Sequence, residues 1–281
     1  MKNLRQRAGI IYYRTKFKLL SAVSKKKAAE IAIDLFCTPQ LRYKKPLPKN
    51  FIEAEKLHFT IYGETVQGYR WNKGGSRKVL IAHGFNSSVA SFDRYVQPLV
   101  NKGYEVLAFD APAHGRSTGT RINAAVYKDM IVMINEQYGP IKSFMAHSFG
   151  SLGVSLALED IPHDDDYRLV LIAPATESKA AIDFFFSFLR LNEAVRNEFE
   201  EMVYQVRQKP ISWYSVSRAV KNIHAKVKWF HDEDDDTTPW EDAKKVMEQN
   251  HPHIDFVVTR GLGHRKIYRD NKIVESIIDF L

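Results

Sequence analysis

The sequence predicts an α/β fold built on a mainly parallel sheet, and three patterns carry that expectation. Short, continuously apolar runs recur between residues 78 and 264, separated by stretches of helical periodicity. Runs of this kind suit strands buried on both faces, as in parallel sheets flanked by helices. An alternating, hairpin-like pattern stands in front of them, and one long block without strand character interrupts the alternation at residues 177–222.

Taken in order, residues 24–37 (SKKKAAEIAIDLFC) place Ala28, Ile31 or Ala32, and Leu35 at helical spacing, and Pro39 stops that helix. The segment LRYKKPLPKN has two prolines and little periodicity and reads as a linker. KLHFTIYG and TVQGYRWNKGG alternate apolar and polar residues and end in glycine, the pattern of an antiparallel hairpin. KVLIAHG (78–84) reads as a buried strand, 90–101 as a helix, YEVLAFDA (104–111) as a strand and 123–138 as a helix. SFMAHS is a strand that runs into the helix FGSLGVSLALED. YRLVLIAPA (167–175) and AKVKWFHDEDD (225–235) are further strands, the second followed by the helix WEDAKKVMEQN. IDFVVTRGLGH is the last strand and 271–281 the closing helix. Within 177–222, AAIDFFFSFLRL, EAVRNEFEEMVYQVRQ and SWYSVSRAVKNI read as helices. A helical insertion there would cover the carboxyl ends of the strands, where open parallel sheets bind ligands. The aromatic residues of 182–189 read as helix core rather than as a cofactor box.

Charge is placed unevenly. Residues 1–50 carry 13 Lys and Arg against Glu30 and Asp34, a net +11, whereas the rest of the 281-residue chain sums to −3. The expected organisation is a basic helical arm over 1–50 and one domain over 51–281, with the insertion at about 177–222. The arm reads as a solvated amphipathic helix, with a weak contact to an anionic membrane surface as the alternative. No nucleic-acid partner is expected. The one cysteine, Cys37, excludes an intramolecular disulfide framework. With no apolar run of membrane-spanning length and no secretory h-region, the expected location is the cytoplasm.

The residues that can carry chemistry cluster after strands. Ala146-His147-Ser148-Phe149-Gly150 sits at a strand-to-helix joint. A serine there is a nucleophile if the turn is sharp and its neighbours two before and two after are small; otherwise it is a helix N-cap. An activated serine needs a base, and the base an orienting acid. RGLGHRKI puts His264 on a glycine-rich loop after the last strand, and FHDEDDDTTP puts several aspartates after the preceding one. That carboxylate cluster is also a candidate cation site. The DAPAHGRSTG turn carries Asp110, His114 and Ser117, which cannot converge from a single turn; Ser117 at most lines an entrance. His83, His114 and His147 read as structural, with His147 pointing away from the nucleophile. No Walker A, Rossmann or Cys/His metal-ligand spacing is present.

With AHSFG, HDEDDDTTP, GLGH, AHGFNSS (82–88) and DAPAHGRSTG (110–119) in this order, the sequence over 55–281 resembles the α/β-hydrolase superfamily. The resemblance implies an eight-stranded sheet, often with a helical cap, and a Ser-His-acid site: Ser148 as nucleophile, His264 as base, and Asp235 as acid from the His-to-Pro spacing 231–239. Asp234 and, more distantly, Glu177 are the alternative acids. It assigns the oxyanion donors to the backbone of Phe85 and Phe149. Ala146 departs from the Gly-x-Ser-x-Gly pattern. The expected activity is hydrolysis of a small-molecule carboxylic ester, or a thioester, with no cofactor. An acyltransferase on the same triad and a non-catalytic, hydrolase-like binding protein are the alternatives.

Overall fold

The computed structural model describes residues 2–42 and 46–281, with side chains from residue 8 onward. Residue 1 of the expected arm and residues 43–45 of the expected linker lie outside the described residues. The chain begins with α1 (Lys2–Val23), α2 (Lys25–Cys37) and the short α3 (Lys49–Glu53). The hairpin follows as β1 (Glu55–Ile61) and β2 (Glu64–Trp71). Next come β3 (Arg77–Ala82), α4 (Asp93–Asn101), β4 (Tyr104–Phe109), α5 (Ala124–Tyr138), β5 (Ser143–His147) and α6 (Phe149–Ala157). β6 (Arg168–Ile172) precedes α7 (Ser178–Leu189), α8 (Glu193–Arg207) and the one-turn α9 (Val216–Ala219). The last elements are β7 (Lys226–Asp232), α10 (Trp240–Met247), β8 (Ile254–Thr259), the short α11 (Gly263–Lys266) and α12 (Asn271–Phe280).

Helix starts follow capping chemistry. Ser24, Asn123 and Asn192 each accept the main-chain N–H three residues on, at the starts of α2, α5 and α8. The last strand ends at Thr259, short of the expected segment IDFVVTRGLGH, because Gly261 and Gly263 adopt φ of +87° and +57° and turn the chain away.

The eight strands form one sheet in the order β1-β2-β4-β3-β5-β6-β7-β8. β1 pairs antiparallel with β2, and β2 with β4; every other pairing is parallel. Contacts divide the chain into two compact units, one of Met1–Thr38 with Glu177–Tyr214 and one of Pro39–Thr176 with Ser215–Leu281.

The larger unit holds the sheet. Val79, Ile81, Val106, Ala108, Met145 and Ile172 alternate onto one face and pack with Tyr95 and Leu99 of α4 and Ile273 and Ile277 of α12. Their neighbours Leu80, Leu107, Phe144, Leu171 and Trp229 point to the other face and are equally buried. β1 buries only alternate residues, Leu57, Phe59 and Ile61, so the hairpin edge keeps one wet face.

The smaller unit is helical. Phe17 of α1 and Ala28, Ala29 and Ala32 of α2 form a core with residues of α7 and α8, among them Ile182, Phe186, Val195 and Phe199. In α7, Ile182, Phe186 and Leu189 recur at helical spacing and are buried, while Phe184 stays 71% exposed.

Candidate active site

The joint between β5 and α6 is sharp. Ser148 has φ 54° and ψ −120°, a conformation a non-glycine residue holds only when its surroundings force it. They do: the Ser148 N–H donates to Ile172 O (3.0 Å), and Ala175 N–H donates to Ser148 O (3.1 Å), pinning both its peptide groups to the end of β6. Ser148 occupies the N-cap position of α6 but its side chain caps nothing. Gly150 is required, since a Cβ there would lie 2.6 Å from His83 O and 2.7 Å from Ala82 O. A Cβ on Gly84 would meet Ser148 Cβ at 2.9 Å. Ala146, by contrast, is a regular strand residue of β5 without positive φ, so its methyl is accommodated.

His264 is the second residue of the short α11, which follows β8. Its Nδ1–H donates to Asp235 Oδ2 at 2.8 Å, which leaves Nε2 to accept the Ser148 hydroxyl at 3.0 Å. Asp235 lies in the loop after β7. Its Oδ1 accepts the Thr237 and Thr238 amides (2.8 and 2.9 Å), and its Oδ2 also accepts the Thr238 hydroxyl at 2.9 Å. Burial pushes the Asp235 carboxyl up, but the His264 and Thr donors outweigh it and the net direction is down, so the group is ionised. His231 donates its Nε2–H to Thr238 O at 2.9 Å and thereby holds the same loop from behind.

The other carboxylates face elsewhere. Asp234 Oδ2 accepts the Gly261 amide at 3.1 Å. Asp232 Oδ2 accepts the Thr259 hydroxyl and the Leu262 amide. Glu177 belongs to the smaller unit, at the start of α7. Among the described residues, no group of three or more His, Cys, Asp or Glu is placed to hold a metal ion.

His83 and His114 are structural parts of neighbouring loops. His83 donates Nδ1–H to Gly84 O and accepts the Ala111 amide on Nε2; His114 donates Nδ1–H to Pro112 O. Burial lowers His83 to a pKa of about 4 and His114 and His147 to about 3, so all three are neutral. The expectation for His147 is corrected. It does not point away: its Nε2–H donates to the main-chain oxygen of His264 at 3.0 Å. Ser117 is also corrected. It is fully buried, donating to Asp110 O and accepting the Gln67 amide, and lines no entrance. Asp110 accepts the Val89 and Arg116 amides and anchors the 110–119 loop from inside.

A cavity of about 770 Å³ reaches Ser148, His147 and His264. Phe85, on the loop after β3, lines it; its ring meets that of Phe149 edge-on at 5.6 Å. Phe149 is the first residue of α6, so its amide is one of the helix's N-terminal donors without an intrahelical acceptor. Among the described residues the Phe85 amide has no protein acceptor either. Arg42, Arg265 and Arg269 complete the lining on the charged side.

Sequence reasoning missed Thr238, the three arginines, and the part played by His147. The Thr-Thr before Pro239 in the acid loop was the available signal for Thr238. The arginines carried none, since Arg42 comes from a distant segment.

The family model described as serine aminopeptidase, S33, matches residues 75–233, a span that includes Ser148 and stops short of Asp235. A hydrolase of uncharacterised activity from Bacillus subtilis, YugF, is 32% identical over 76 residues, which are 27% of this chain and 28% of that protein. The Pyrococcus furiosus esterase Pf2001 superposes with a TM-score of 0.63 over 87% of this chain and 97% of its own, at 20% identity. Mouse alpha/beta hydrolase domain-containing protein 10 does so with a TM-score of 0.58, 17% identity, and 80% and 97% coverage. At such identities the likeness speaks for the fold.

Proposed function

The chain belongs to the serine aminopeptidase S33 family of α/β-hydrolase enzymes, and from that membership we propose that it hydrolyses a carboxylic ester, or a thioester, through an acyl-enzyme on Ser148. The observation that supports this reading is the bridging position of His264, 3.0 Å from Ser148 Oγ and 2.8 Å from Asp235 Oδ2.

In this mechanism Ser148 Oγ attacks the ester carbonyl carbon while its proton passes to His264 Nε2. The carbonyl oxygen becomes an oxyanion that accepts hydrogen bonds from the Phe85 and Phe149 amides, aided by the N-terminal dipole of α6. When the intermediate collapses, the bond to the alcohol breaks and His264 gives its proton to the departing oxygen. Water then gives a proton to His264 and attacks the acyl carbon. Ser148 leaves, recovers the proton, and the acid is released. Asp235 remains ionised throughout, holding the Nδ1–H and stabilising the imidazolium. The strained φ of Ser148 lifts its hydroxyl off the helix it would otherwise cap. No cofactor takes part.

The test is labelling by a fluorophosphonate probe, which reacts only with an activated serine. The native protein is expected to label and Ser148→Ala to stay unlabelled. Labelling that persists in the folded variant would refute the assignment.

A further inference from the structure

We propose that the substrate carries an anionic oxygen group, a carboxylate or a phosphate, which binds Arg42, Arg265 and Arg269 in the Ser148 cavity; the proposal rests on the ester-hydrolase reading of that site. Among the described residues the cavity lining holds these three guanidinium groups and no Asp or Glu. The nearby Asp235 carboxylate is turned inward, its side chain sealed from solvent and engaged by His264 and Thr238. The wall that meets a substrate therefore carries an uncompensated positive charge around a concave surface, where a field is focused rather than dispersed.

Two of the three arginines are held in place. Arg42 donates to Gly115 O (3.2 Å), Gly119 O (3.5 Å) and Ser117 O, all on the loop anchored by Asp110. Carbonyl acceptors orient a guanidinium without cancelling its charge. Arg269 donates to the Tyr268 hydroxyl at 3.0 Å and lies over that ring at 5.1 Å. Arg265 directly follows His264, and Arg269 comes one turn later along the same segment. None of the three pairs with a carboxylate among the described residues. Arg42 contributes its charge through a guanidinium whose three nitrogens each already donate to a carbonyl, whereas the planar forks of Arg265 and Arg269 match the two oxygens of a carboxylate or phosphate. The same charge repels the α-ammonium group that an aminopeptidase substrate presents.

The experiment uses two matched ester pairs at low salt. In one, para-nitrophenyl pentanoate is set against the mono-para-nitrophenyl ester of glutaric acid, which adds a carboxylate to the acyl side. In the other, phenyl pentanoate is set against its ring-phosphorylated counterpart, which adds a phosphate to the leaving group. The anionic member of at least one pair is expected to show a kcat/KM about tenfold higher or more, as for a charge-assisted hydrogen bond. That ratio is expected to shrink as sodium chloride is raised. It is expected to fall towards one in the Arg265→Gln/Arg269→Gln double variant and to be partly kept in the double Lys variant. Whichever pair responds locates the anion on the acyl or the leaving-group side. Equal or better turnover of the neutral member in both pairs, a preference indifferent to the Gln substitutions, or efficient cleavage of alanyl para-nitroanilide would overturn the proposal. Should Ser148 fail to label with fluorophosphonate, the hydrolase reading fails by itself. The anion site is then judged by calorimetric titration of phenyl phosphate and glutarate. Binding that the double Gln variant loses upholds it, and no binding ends it.

Discussion

His147 donates its Nε2–H to the main-chain oxygen of His264 over 3.0 Å, and the two imidazole rings lie 4.7 Å apart. The residue just before Ser148 thus fixes the backbone of the residue whose side chain accepts the Ser148 hydroxyl. Two loops from different strands are tied together by a group that does not itself touch the serine oxygen. His147→Phe keeps a ring in the space and removes the donor, leaving a buried carbonyl short of one partner, a loss of about 1–3 kcal/mol. We expect a lower Tm and, well below that Tm, a kcat for ester hydrolysis reduced about tenfold with little change in KM. An unchanged kcat in the folded variant would show that His264 is positioned without it.

The two adjacent aspartates should separate cleanly. Asp235→Asn keeps the shape but removes the charge facing His264, and kcat is expected to fall about a thousandfold or more. Asp234→Asn affects only the bond to Gly261 and should leave kcat within about threefold. The comparison is steady-state turnover of one ester by both variants. Equal effects would show that the loop, rather than the Asp235 carboxylate, matters.

The small residues around Ser148 should differ in tolerance. Gly150→Ala drives a methyl into the oxygens of Ala82 and His83 and is expected to destabilise by about 2 kcal/mol or more, in the manner of overpacking. Ala146→Gly restores the commoner motif but adds a glycine to a strand, so a loss of about 0.5–1 kcal/mol and no gain in kcat are expected. Denaturant midpoints and turnover of the two variants check both statements.

Acid should weaken the fold before the carboxylates titrate. His83, His114 and His147 have folded pKa values of about 3–4 against an ordinary 6.5, because burial penalises the imidazolium. The unfolded chain therefore binds more protons than the folded one between those limits. Their stabilisation is complete above pH about 6.5 and declines as pH falls towards 4. Asp235, held downward, adds a further loss at lower pH, while Asp110, held upward by burial, acts in the opposite sense. Urea midpoints should drop between pH 7.5 and pH 5. A flat profile over that interval would contradict the buried neutral histidines.

Much of the fold was legible because parallel strands buried on both faces leave unbroken apolar runs, as β3 through β6 do, while the edge strand β8 buries none of its residues fully. Ser148, Asp235 and His264 were legible as a set because loops that follow such strands all emerge at one sheet edge. What escaped was sideways contact. Nothing in the one-dimensional pattern says that His147 reaches the His264 carbonyl, or that Ser117 turns inward under Asp110. Nor does it bring Arg42 to the cavity that Arg269 lines. These depend on loop conformations set by residues such as Asn86, with φ of 57°, and Ala113, with φ of 68°, which no periodicity encodes.

The smaller unit is assembled from Met1–Thr38 and Glu177–Tyr214, and its core draws on both segments. On the ribosome the first helices therefore emerge long before α7 and α8 exist to cover Phe17, Ala28 and Ala32. At ordinary translation speeds the wait is on the order of ten seconds. For that interval this strongly basic, half-apolar stretch of nascent chain has only its own two helices to pack on, and a chaperone, or an aggregating neighbour, can engage it there.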